Sequence, residues 1–346
     1  MQTNILEYLD ATARRVPEKL AFSNGPEGLT FREVHTQARA IGSGLLELGA
    51  AGEPVVVFME RHPKMAAGFF GVVYAGCFYV PIDGEMPSFR VELIFQQLKP
   101  RFVLCDEKTR EQAQSLAPQG AHVLPYDQLA ASAINEDALV RVRRNALDTD
   151  PIYIVFTSGS TGVPKGVAAC HRSVLDYIER LDEVLDVTED TIFGNQTPLY
   201  FDACLKELYS TIRCGSTTYL IPKQLFSFPV KLVEYLNEYK INTVCWVVSA
   251  LTMISGFKVL DKHIPEYFHT VAFGSEVFPI KQFKLWRAAL PNARFINLYG
   301  PTEATGMSCW YEVDREFADD EVLPIGRPFP NTGLLLLTDE DRPAAP

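Results

Sequence analysis

Short runs of β-branched and aromatic residues alternate along this chain with longer helical patterns, and that alternation restricts it to folds built from βαβ units. Val55-Val56-Val57-Phe58 reads as a buried strand, Met65–Tyr74 as an apolar helix, and Phe78-Tyr79-Val80 as the next strand. Arg90–Leu98 and Phe102-Val103-Leu104 repeat the theme. Upstream, Thr30-Phe31-Arg32-Glu33 is a capping-box pattern, a hydroxyl for orphan N–H groups and a carboxylate that reaches back. It opens a helical pattern over Glu33–Leu48 that stops at Gly49. Further on, strand-like runs at Ile152–Thr157, Val244–Val248, Thr270–Phe273 and Phe295–Leu298 are interleaved with helical patterns at Ser173–Leu185, Val230–Tyr239 and Lys281–Leu290.

A chain of 346 residues can bury one large core or two smaller ones, so we expect an α/β protein of two packed lobes, each a central sheet flanked by helices. The boundary is placed near 145–151, giving lobes at 1–150 and 151–323. The polar, alanine-rich stretch 106–150, with Arg141-Val142-Arg143-Arg144, is expected to cross between lobes rather than form core. Leu334–Thr338 is expected to be one more strand, followed by a polar turn.

Composition removes several classes of function. A formal charge of −11 opposes general affinity for nucleic acid, whose phosphates reward clustered Lys and Arg. The uncharged run Ala66–Ile82 approaches the roughly 17–25 residues of a membrane span. The break at Ala75-Gly76 and the following Pro81-Ile82-Asp83 instead make it a buried helix and then a buried strand. The amino terminus lacks the basic start and apolar stretch of a signal peptide. Seven scattered cysteines (Cys77, Cys105, Cys170, Cys204, Cys214, Cys245, Cys309) contain no C-x-x-C pair. Free thiols in a cytoplasmic setting are the expectation, with Cys204 and Cys214 in apolar rather than nucleophilic roles.

The segment Tyr153–Val167 carries the most chemistry: a strand runs into Thr157-Ser158-Gly159-Ser160-Thr161-Gly162-Val163-Pro164-Lys165-Gly166. Glycines let backbone N–H groups approach phosphate oxygens, hydroxyls donate further bonds, and Lys165 offers a compact positive charge. A Walker A loop needs a hydroxyl directly after its lysine, whereas Gly166 follows Lys165 here. The residues alone leave two readings, a polyphosphate clamp or a plain Ser/Gly-rich turn. His171, just beyond, could cap a helix or touch phosphate.

This segment resembles the signature loop of the adenylate-forming superfamily, which includes acyl-CoA synthetases, firefly luciferase and the adenylation domains of nonribosomal peptide synthetases. Asn297-Leu298-Tyr299-Gly300-Pro301-Thr302-Glu303 resembles a second signature, and Tyr74–Asp83 a third. The likeness covers essentially the whole chain, down to Pro324-Ile325-Gly326-Arg327-Pro328, so that 324–346 is expected to begin a third β subdomain. The resemblance implies ATP and Mg²⁺ as cofactors. Thr157, Ser158, Gly159, Ser160, Thr161, Gly162 and Lys165 would grip phosphates; Gly274 and Ser275 would form the adenine-side turn, with Asn297 and Gly300 beside it. Tyr299 would pack on adenine, Thr302 bond the α-phosphate, and Glu303 hold the metal, whose preference for hard oxygen ligands suits a carboxylate. Thr161, Lys165, Thr302 and Glu303 are the implied catalytic set.

Leu199-Tyr200-Phe201-Asp202-Ala203 resembles the Phe-Asp motif of amino-acid-activating members, which implies that Asp202 binds a substrate α-ammonium. The other reading pairs Asp202 with Lys206, four residues on. Family spacing carries the pocket onto Asp202, Ala203, Lys206, Trp246, Val271, Phe273, Leu298, Gly306 and Met307. Trp246 and Phe273 argue for a small substrate side chain, while Lys206 invites an acidic one.

The implied reaction forms aminoacyl-AMP and pyrophosphate from an amino acid and ATP, then loads a phosphopantetheine thiol on a peptidyl or acyl carrier protein. In its motifs the chain resembles D-alanine:carrier-protein ligases and peptide-synthetase adenylation domains in particular. Relatives continue for roughly another hundred residues, the size of a small domain, into a mobile lid. The expectation is therefore a lid-less core that binds but turns over weakly or not at all. Two alternatives stay open, an aryl or fatty acyl-CoA synthetase core and a non-catalytic nucleotide-binding module.

Overall fold

The computed structural model describes residues 2–157 and 163–344. Its strands, in chain order, are β1 (Leu20–Ser23), β2 (Gly28–Thr30), β3 (Pro54–Met59), β4 (Phe78–Asp83), β5 (Phe102–Cys105), β6 (His122–Pro125), β7 (Pro151–Thr157), β8 (Lys165–Cys170), β9 (Ile192–Asn195), β10 (Thr217–Leu220), β11 (Thr243–Val247), β12 (Thr270–Gly274), β13 (Arg294–Tyr299), β14 (Cys309–Glu312) and β15 (Arg327–Pro328). One sheet has the order β6-β5-β3-β4-β7-β8 and the other β15-β14-β13-β12-β11-β9-β10-β1-β2. In the first, only β8 runs antiparallel. In the second, β2 and β14 run antiparallel to a parallel centre, and the edge strand β15 pairs antiparallel with β14.

The alternation of side chains along β3 shows how the layers form. Val55 and Val57 join a cluster that extends through the helices to Phe193, Ala272 and Ile296 of the nine-stranded sheet. Val56 and Phe58 face the other way, into a cluster with Ile94 and Phe95. The helix Pro63–Tyr74 is buried on nearly every face, as expected of a helix with sheet or helix packed all around it. Phe69 on this helix stacks on Tyr79 of β4 at 4.2 Å between ring centres, and the Tyr79 hydroxyl shares a 2.8 Å hydrogen bond with that of Tyr209 on the helix Leu205–Cys214. A third apolar cluster, around Trp246, Phe273 and Trp286, covers the far side of the nine-stranded sheet.

The capping box at Thr30 is present: the Glu33 N–H donates to Thr30 Oγ1 at 3.3 Å and the Thr30 N–H to the Glu33 carboxylate at 2.8 Å. The run Ala66–Ile82 is a helix, a turn and β4, and no described helix is long and apolar enough to cross a membrane. The sheets themselves do not part at residue 150, because β7 pairs with β4 while β1 pairs with β10.

Two expectations are corrected. Residues 106–150 belong to the first sheet's layer: β6 extends it, and the helices Tyr126–Ala130 and Glu136–Asn145 pack on the helix Phe31–Glu47 through buried Tyr126, Leu129 and Leu139. Leu334–Thr338 is not a sheet strand. It makes one isolated bridge, Leu337 to Pro343, with backbone hydrogen bonds only to the turn that follows it, and Leu335 is 82% exposed, so neither sheet takes it up or covers its side chains.

Candidate active site

Three parallel strands end together at the site. Register aligns Val247, Gly274 and Leu298 in one row and Trp246, Phe273 and Asn297 in the row before it. The crevice beyond the carboxyl ends of parallel strands is where α/β folds place ligands. Here it is a cleft of about 230 Å³ of atom-free space, lined by Ala203, Lys206, Trp246, Phe273, Gly274, Ser275, Leu298 and Met307. Six of the nine pocket residues implied by the sequence therefore converge, with three exceptions. Asp202 does not itself line the cleft but directly precedes Ala203, which does. Val271 is fully buried in the apolar cluster behind the sheet, and Gly306 sits beside the cleft against the Tyr177 ring.

Backbone proximity explains the glycines on this edge. A Cβ at Gly274 would collide with the Leu298 carbonyl, and one at Gly300 with the Gly306 carbonyl and the backbone of Met307 and Ser308. The Gly300–Met307 loop is closed by the Ser308 N–H, which donates to the Tyr299 carbonyl at 2.7 Å. Ser275 holds φ at +68°, a backbone conformation uncommon outside glycine.

Tyr299 ends β13 half exposed, presenting an aromatic face to solvent, and Asn297 donates from Nδ2 to the Pro324 carbonyl at 2.8 Å. Thr302 and Glu303 lie on a short 3₁₀ turn, Thr302–Ala304, that rests against β8. Lys165 is the first residue of β8, opposite Thr157 of β7, rather than part of a free loop. Among the described residues neither Lys165 Nζ nor the Glu303 carboxylate forms a hydrogen bond or ion pair. This leaves a lysine and a hard carboxylate on neighbouring elements, an arrangement that fits polyphosphate and a divalent cation shared with it. Ser158, Gly159, Ser160, Thr161 and Gly162 lie outside the described residues.

Asp202 opens a 3₁₀ turn, Asp202–Cys204, that leads into the helix carrying Lys206. Burial pushes its carboxyl up, and the Lys206 charge and the Thr302 hydroxyl pull it part of the way back. No ion pair joins Asp202 to Lys206. Cys204 is buried and its thiol pushed up by burial, which gives it no nucleophilic character. All seven cysteines are free. His171 faces away from this cleft: its Nδ1 accepts the Ile5 N–H at 3.1 Å, and burial holds the ring neutral, with a pKa down at about 4.

Sequence reasoning missed Thr197, Cys245 and Val247, which also line the cleft, and Glu207, which is buried beside it. Only Val247 had a signal, its place at the carboxyl end of a parallel strand.

A two-sheet α/β core with a cleft at the carboxyl ends of β11, β12 and β13, and with Thr302 and Glu303 on a turn against β8, fits the core of an adenylate-forming enzyme. The chain belongs to the AMP-binding enzyme family, whose model matches residues 9–346. It is 29% identical over 339 residues to a D-alanine--D-alanyl carrier protein ligase of Staphylococcus aureus (strain MRSA252), spanning 98% of this chain and 67% of that protein. It is also 29% identical over 358 residues to indigoidine synthase of Dickeya dadantii (strain 3937), spanning 99% of this chain but only 23% of that one. Among solved structures, the nonribosomal peptide synthetase FmoA3 superposes with a TM-score of 0.88 at 25% identity, over 98% of this chain and 36% of FmoA3.

Proposed function

We propose that this chain binds ATP and an amino acid and activates the amino-acid carboxylate as an aminoacyl-adenylate, for transfer to the phosphopantetheine thiol of a peptidyl or acyl carrier protein. The observation that carries this reading is Asp202. It is a largely buried carboxylate with no cation in salt-bridge contact among the described residues, next to Ala203 on the cleft wall and beside Thr302, the residue expected at the α-phosphate. A buried carboxylate needs a charged partner, and a substrate α-ammonium supplies one where the reacting carboxylate would face the phosphate.

The chemistry asked of the protein is positioning and charge stabilisation. Tyr299 offers its ring to adenine, and Gly274 and Gly300 carry no side chain that would block the base. Thr302 donates to the α-phosphate, Lys165 neutralises charge on the phosphates that leave as pyrophosphate, and the Thr161 hydroxyl would donate to them. Glu303 would hold Mg²⁺ in common with the phosphates, adding positive charge where negative charge accumulates. The substrate carboxylate, held by its ammonium at Asp202, attacks the α-phosphorus. The free thiols suit a cytoplasmic setting.

The test reads binding. A ligand that binds only the folded state raises its stability by RT ln(1 + [L]/Kd), so the melting temperature is measured with AMP or MgATP and each of a panel of D- and L-amino acids. One amino acid should raise it only when nucleotide is present, and Asp202→Ala should remove that increment. A nucleotide-dependent rise with no amino-acid increment would transfer the reading to an acyl-CoA synthetase or a nucleotide-binding module.

A further inference from the structure

Lys206 is 3% exposed, lies on the wall of the substrate cleft, and among the described residues forms no hydrogen bond, ion pair or cation–π contact. A lysine ammonium has three donors and no acceptor. Its Nζ is not among the fully enclosed unpartnered side-chain atoms, so it opens on the cleft, and a ligand that filled the cleft without pairing it would bury it dry, which is costly. Its two acidic neighbours do not meet it: Asp202 and Glu207 both feel its charge, yet neither comes within salt-bridge distance. Glu207 is itself held by burial at a pKa of about 7, so it is largely uncharged below neutral pH and a weak counter-ion at best. Among the described residues no other cation lines the cleft; the remaining walls are Ala203, Trp246, Val247, Phe273, Leu298 and Met307 with small polar groups.

We infer that the substrate is an α-amino acid with a short side chain ending in a carboxylate, which closes on Lys206 while the α-ammonium closes on Asp202. The inference rests on the amino-acid-activation reading above and deepens it. Its two anchors are of opposite charge, and both are on this chain: an anion for the ammonium, a cation for the side chain. A neutral side chain would leave the Lys206 ammonium buried without a partner. An amide of the same shape could accept one hydrogen bond but would not neutralise the charge. The indole of Trp246, fixed by a 2.7 Å hydrogen bond from Nε1 to the Gly194 carbonyl, and the Phe273 ring take up room on the cleft wall, and the small space that remains, about 230 Å³, favours a short side chain.

The experiment titrates the protein, saturated with AMP, with L-aspartate, L-glutamate, L-asparagine, L-glutamine and L-alanine in a calorimeter. The expected result is that aspartate binds at least tenfold more tightly than its isostere asparagine, and more tightly than glutamate. In Lys206→Met, checked for a cooperative melt, the aspartate advantage should disappear. The wild-type aspartate-to-asparagine ratio stands as a test should that variant fail to fold. Tighter binding of asparagine, glutamine or alanine would overturn the assignment of Lys206 while leaving amino-acid activation in place. Binding of none of the five, with none in the wider D- and L-panel raising the melt, would overturn both.

Discussion

Replacing Glu207 with glutamine should stabilise the protein near pH 8 and leave it almost unchanged near pH 5. Glu207 is 1% exposed, and among the described residues neither of its carboxylate oxygens has a hydrogen-bond partner. The charges of Lys206 and Arg61 and the amide of Asn195 lie close enough to draw its pKa down, but burial outweighs them and sets it at about 7 against an ordinary 4.5. Below pH 4.5 the acid is protonated in both folded and unfolded chains, so it carries no ionisation penalty. Between 4.5 and about 7 the unfolded chain releases its proton while the folded protein keeps it, and stability falls; above about 7 the loss is complete. At about 1.4 kcal/mol per pH unit, that interval comes to about 3 kcal/mol. Glutamine keeps the shape and does not titrate. Urea melts of both proteins at steps from about pH 5 to about pH 8 give the difference directly, and titrations elsewhere in the chain cancel in it. A difference that stays constant across that range, or a glutamine variant less stable near pH 8, would refute the argument.

His171 should give the opposite profile. Its pKa of about 4 in the fold lies below the ordinary 6.5, so its contribution is full above 6.5 and is lost as pH falls toward 4, by up to about 3 kcal/mol. His171→Gln should flatten the acid limb of the stability curve, and an unchanged limb would count against it. Thr30→Ala removes the hydroxyl that accepts the Glu33 N–H and should cost about 1 kcal/mol in urea melts. Gly300→Ala forces a methyl group against the Gly306–Ser308 backbone; it should cost about 1–3 kcal/mol and diminish the AMP-dependent rise in melting temperature. An alanine protein with wild-type melting and an undiminished AMP response would mean that the loop has room the structure does not show.

How legible each part was in the sequence follows from how local its cause is. The capping box at Thr30 and Glu33 lies within four residues, so spacing alone found it; the motif Asn297–Glu303 is equally local and was found by its resemblance to a family signature; and β3, β4, β11, β12 and β13 stood out because buried strands need unbroken apolar runs. The sheet to which β1 belongs was not legible, because its partner β10 is almost two hundred residues away and four residues carry no mark of their neighbour. The helices of 106–150 were hidden because each buries only one or two large side chains, such as Leu139, in an otherwise charged surface. Lys206 and Glu207 show the limit most clearly. They are consecutive charged residues on a helix, a pattern that ordinarily means a solvated face, yet both are buried. One turns toward the cleft with Trp246 and Phe273, the other toward an interior gap with Phe22 and Asn195. Neither burial follows from the helix itself; both follow from strands and helices far away in the chain that close over it. The Glu207 carboxylate, enclosed without a partner, costs stability once ionised, which gives the pH-dependent penalty, whereas the Lys206 ammonium opens on the cleft, which is the reason to look for a ligand there.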